Sequence, residues 1–174
     1  KTVLLWSTTF LSRSPYKLKS MKSSSTSPEK PSIEQILWSD DRPPFLLDGG
    51  TGEELFLRGL PDDRQTWSAK AISDPQYHSL LKSVHVSFLQ AGSNAISTNS
   101  YLITQHVGFT PHQVSDYCQT SAKIARQAVE EFGGSKSAFV LGSLGPLSES
   151  YRPDLILPQK ICVGRYCRIV EAMH

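Results

Sequence analysis

The chain has 174 residues, 39% of them hydrophobic, with a net charge of only +2. That length suits one domain with a sizeable core, and no apolar run approaches the roughly 20 residues that a transmembrane helix needs. Lys1, Arg13, Lys17, Lys19 and Lys22 fall in the first 28 residues with no acid among them, so the rest is about three units negative, which argues against a nucleic-acid surface on the folded part. Three cysteines, Cys118, Cys162 and Cys167, are an odd set that reads as reduced thiols in an intracellular compartment rather than as a disulfide framework.

Residues 1–43 read as a disordered or leader-like extension, and residues 44–174 as the domain. The chain opens on Lys1, while Met21 begins "MKSSSTSPEKPS", a flexible stretch rich in Ser, Pro and Lys. Residues 1–20 are acid-free and resemble an organelle-targeting peptide only faintly; a plain extension is the simpler reading. Ser32 can cap a short helix over Ile33 to Trp38, which Pro43 and Pro44 bar from continuing.

Phe45 to Asp48 is wholly apolar up to its carboxylate, the pattern of a buried parallel strand. Thr51 to Arg58 can form a helix that Gly59 ends. Asp74 and Pro75 open a second helix running to Gln90, with Tyr77, Leu80, Leu81, Val84, Phe88 and Leu89 near one side. Asn94 to Tyr101 is again strand-like. Thr110, Pro111 and Gln113 form a helix start of the capping-box kind, and Val114, Cys118, Ala122, Ala125, Val129 and Phe132 make its apolar stripe, closed by Gly133 and Gly134. A third strand is expected at Ala138 to Leu141 and a further helix at Ile161 to Met173. This alternation is that of a parallel α/β protein, whose ligands gather at the C-terminal strand ends.

Three such strand exits stand out: Asp48-Gly49-Gly50, Thr98-Asn99-Ser100, and Gly142-Ser143-Leu144-Gly145-Pro146. A carboxylate directly after an apolar strand can accept bonds from a substrate ammonium where water is scarce, and glycine lets backbone approach a ligand closely. The plainer readings are that Asp48 caps a turn, that Thr98 and Asn99 satisfy loop backbone, and that Gly145-Pro146 only shapes a turn. "DGGTGEE" lacks the Lys-Ser/Thr ending of a phosphate-binding loop and is not GxGxxG. The histidines form no HExxH; His78 and His85 are seven apart and read as a solvated helix face. Cys162 and Cys167 are poorly spaced for one zinc. No metal ligand and no catalytic residue is assigned.

"FLLDGGTGEELFLRG", "TWSAKAI", "HVSFLQAGSNAISTNSY", Gly108-Phe109 and "VLGSLGPLSESYRPD", in this order and spacing, resemble the homocysteine S-methyltransferases, especially the branch that uses S-methylmethionine or S-adenosylmethionine. The resemblance covers about residues 45–174; Gln65-Thr66 departs from it slightly. It implies a (β/α)8 TIM barrel, here about its first three β/α units, that moves a methyl group onto the thiol of homocysteine to give methionine. It also implies a zinc ion in the complete enzyme that presents the homocysteine thiolate, its cysteine motifs being absent from this chain.

Carried over by position, Asp48 resembles the carboxylate that engages the amino group of homocysteine, with Gly49 as the backbone contact beside it. Thr98 resembles a hydroxyl residue of the amino-acid pocket, and Ser143 and Gly145 shape its floor and donor side. The resemblance implies a cytoplasmic enzyme, or a mitochondrial one if residues 1–20 are a leader, with no nucleic-acid or membrane partner. It further implies that these 174 residues alone lack catalysis and a stable fold. The alternative expectation is a non-catalytic short isoform that binds an amino acid or a partner chain.

Overall fold

The computed structural model describes residues 44–134 and 138–174. The proposed extension, its Ser32-capped helix and the boundary at residue 43 lie outside them.

The order of the main elements is α1 (Thr51–Leu57), α2 (Lys70–Ser73), α3 (His78–Gln90), β1 (Ala95–Ser97), α4 (Pro111–Gly133), β2 (Phe139–Leu141) and α5 (Gln159–Met173). The local signals explain most of the boundaries. Gly59 and Gly92 take φ of 100° and 102° just past α1 and α3, where a side chain would be strained. Asp74 accepts from the Gln76 amide, but its proline opens a short 3-10 turn over Pro75–Tyr77 before α3 begins. Thr110 and Gln113 complete a reciprocal capping box on α4.

β1 and β2 pair in parallel, with Ala95, Ile96 and Ser97 opposite Phe139, Val140 and Leu141. The expected first strand is reduced to one parallel bridge between Leu47 and Ala95. The Asp48 amide donates to the Ala95 carbonyl at 3.1 Å. The next rung of a parallel ladder would join the Ser97 amide to the Asp48 carbonyl; here the Asp48 side-chain Oδ2 accepts that amide, at 2.7 Å. The carboxylate thus ends the ladder. Leu46 and Leu47, expected in a buried strand, are 50% and 44% exposed.

These observations correct the barrel expectation. Closure requires the outer strands of a sheet to hydrogen-bond to each other, whereas the described residues form an open two-stranded sheet with one added bridge. No (β/α)8 or TIM-barrel topology is present among them.

The larger part of the core lies between helices, and a smaller part lies against this sheet. One cluster joins Leu55 of α1, Leu81 and Val84 of α3, Val114, Cys118 and Ala122 of α4, and Ile169 and Met173 of α5. A second joins Leu89, Ile96, Ala125, Ala128 and Val129. The predicted stripe of α4 is buried except for Phe132, which is exposed at the helix end. His85, read as solvated, is wholly buried on α3. The signal for this is its spacing, since His85 lies four residues from both Leu81 and Leu89 on the buried side of the helix.

Candidate functional site

Alternation along an extended segment turns successive side chains to opposite faces, and it divides the β1 exit in two. Ser97 faces Asp48: its hydroxyl donates to Asp48 Oδ1 at 2.9 Å while its amide holds Oδ2. The half-buried Asp48 carboxyl is pushed above the ordinary aspartate range by loss of water, and the two Ser97 bonds work in the other direction. Asn99 follows, donating from Nδ2 to the Ser68 carbonyl at 2.7 Å. It thereby ties the β1 exit to the loop before α2, in which Trp67 adopts a φ of 47°. Asp63 builds that loop by accepting from the Gln65 amide and from the Thr66 hydroxyl at 2.9 and 2.7 Å.

Thr98 and Ser100 form a separate group. Their hydroxyls lie 2.7 Å apart. The Ser143 amide donates to Thr98 Oγ1 at 2.9 Å, and Ser100 donates to the Ser143 carbonyl at 2.7 Å. The sulfur of Met173 lies 3.7 Å from both hydroxyls. Thr98 and Ser100 are buried, so these hydroxyls stitch the β1 and β2 exits together.

The glycines are explained by close approach. A Cβ on Gly49 would stand 3.0 Å from the Phe88 ring, and one on Gly145 only 1.7 Å from the Tyr101 carbonyl oxygen. The Tyr166 hydroxyl donates to the Gly145 carbonyl at 3.0 Å, fixing the same turn from α5. Of the five residues singled out in the sequence, Asp48 and Gly49 therefore sit at one strand exit, while Thr98, Ser143 and Gly145 are joined around the other two. Ser97 was not singled out. Its signal is its place one residue before Thr98, on the face that alternation gives to Asp48.

The zinc implied by the resemblance does not fit these residues. Among the described residues no group of three His, Cys, Asp or Glu side chains could hold a metal ion. The thiol of Cys118 is buried, and loss of water pushes its pKa up to about 12. His78 Nε2 lies 2.9 Å from the Ile72 carbonyl, and His112 contacts Asp116 at 2.6 Å. The zinc expectation is therefore corrected for the described chain.

The parallel β1–β2 pair with its helical connection is an α/β arrangement, a class whose ligands gather at the C-terminal strand ends. The family model for homocysteine S-methyltransferase matches residues 45–169, and the chain belongs to that family. Homocysteine S-methyltransferase 3 of Zea mays is 35% identical over 92 residues, taking in 51% of this chain and 27% of the maize protein. Homocysteine S-methyltransferase YbgG of Bacillus subtilis (strain 168) is 33% identical over 106 residues, or 58% of this chain and 32% of the other. The crystal structure of the metallated form of the homocysteine methyltransferase MmuM from Escherichia coli superposes with a TM-score of 0.66 at 28% identity, covering 81% of this chain and 52% of MmuM. The chain thus matches about a third or less of these curated relatives and about half of the solved structure. Among the described residues no helix is long and apolar enough to cross a membrane.

Proposed function

We propose that the Asp48 exit receives the amino-acid end of homocysteine, within a methyl transfer whose donor is S-methylmethionine or S-adenosylmethionine. The observation that supports this most is the carboxylate itself. It is half-buried, held by two bonds from one neighbour, and placed where a parallel strand ends. An incoming ammonium would meet a fixed acceptor and, by its positive charge, favour the ionised form. Gly49 would offer backbone to the same substrate. Thr98, Ser143 and Gly145 would set the wall and floor through the bonded network rather than through free hydroxyls. In this reading the residues bind and orient one reactant, which is the part of methyl transfer that alignment of sulfur, methyl and leaving group demands.

Calorimetric titration of the chain with homocysteine tests the assignment. Asp48→Asn keeps the side chain's size and removes its charge. The expected loss of affinity is about 2 kcal/mol, since hydrogen bonds to charged groups fall in that range. 4-Mercaptobutanoate, which has no amino group, should bind the two forms equally. Equal homocysteine affinity in the two proteins would sink the assignment.

A further inference from the structure

A second polar feature lies away from Asp48, between the loop after β1, the first turns of α4, and α5. There a cavity of about 20 Å³ is lined by Thr104 and Gln105 on one side, Arg165 and Arg168 on the other, and Leu147 and Ile169 among its apolar walls. No acidic residue lines it. Thr104 is 3% exposed, and among the described residues its hydroxyl makes no hydrogen bond. Arg165 and Arg168, half-buried and exposed respectively, form no ion pair among the described residues, whose five salt bridges involve other groups. The amides at the start of α4 are not the attraction, because Gln113 and Val114 already donate to Thr110.

We propose that this cavity is a binding site for a tetrahedral oxyanion, either inorganic phosphate or the terminal phosphate of a small metabolite. A site of this volume admits about one water-sized group, so one oxygen enters and accepts from Thr104 while the others remain at the mouth between the arginines. Two guanidinium groups one helical turn apart suit such a ligand, because each presents several donors in a planar fork. Thr104, the buried polar residue of the lining, marks the inner end of the site. This assignment is independent of the role of Asp48.

The test is calorimetric titration of the full chain with inorganic phosphate and with methyl phosphate, at constant ionic strength in chloride. Saturable binding is expected. The double variant Arg165→Gln/Arg168→Gln should lose at least tenfold in affinity and Thr104→Val severalfold, whereas Lys160→Gln, on the same helix but outside the cavity, should bind like the parent. Binding of both ligands identifies a terminal phosphate as sufficient; binding of inorganic phosphate alone identifies the free ion. No saturable binding, or the same isotherm in the double variant, overturns the site. Circular dichroism checks that each variant is folded, and if the double variant is not, Arg168→Gln and Thr104→Val decide the matter alone.

Discussion

At the strand exits and in the helical layer, the protein takes an ionisable group out of water in two different ways. Asp48 is half-buried and is met by the amide and hydroxyl of Ser97. His85, on α3, is sealed completely, and neither ring nitrogen has a partner among the described residues. Loss of water drives both shifts, raising Asp48 and lowering His85 to about 4. Burial alone therefore does not distinguish a site from a core. What separates the regions is whether the desolvated group is bonded in place for a charge or shut in without one.

The strand-exit region should be the less forgiving of added volume. Gly145→Ala drives a Cβ into the Tyr101 carbonyl, and because backbone rather than a flexible side chain must move, the expected loss is about 3 kcal/mol or more by chemical denaturation. The contrasting change is Gly164→Ala in the middle of α5, where a Cβ meets nothing within 4 Å; it should stabilise by about 0.5–1 kcal/mol. Losses of similar size in the two variants would erase the contrast.

The next effect belongs to the helical layer. The pKa of His85 is lower in the folded chain, at about 4, than its ordinary value of 6.5. The unfolded chain thus takes up the proton first. Stability from this group is complete above pH 6.5 and is lost as pH falls toward 4, by about 3 kcal/mol in total. Asp48 has the opposite sign: its raised pKa makes the folded state gain stability relative to the unfolded one as pH falls through the folded value toward 3.8. Denaturation midpoints followed across this range should show the His85 loss in the parent and a shallower slope in His85→Leu. An unchanged slope would mean that His85 finds a partner or water.

The smallest effect tests the clamp. Ser97→Ala removes one hydroxyl bond of 2.9 Å and leaves the amide bond of 2.7 Å. A loss of about 1 kcal/mol in stability is expected, together with a further rise in the Asp48 pKa followed by carboxyl NMR. A fall in that pKa would contradict the description of Ser97 as a stabiliser of the carboxylate.

Much of this architecture is written locally. Thr110 and Gln113 specify the start of α4, Gly59 and Gly92 the ends of α1 and α3, and the motifs around Asp48 and Thr98 the family. These features depend on groups within a few residues of each other, or on a pattern that survives being read in one dimension. The shortening of the first strand by the Asp48 carboxylate and the pairing of Asp48 with Ser97 rather than Thr98 are different. Each depends on which segment arrives alongside. A carboxylate at a strand end is legible as a residue, but its partner lies 49 positions away, and only the tertiary structure decides which face of β1 it meets.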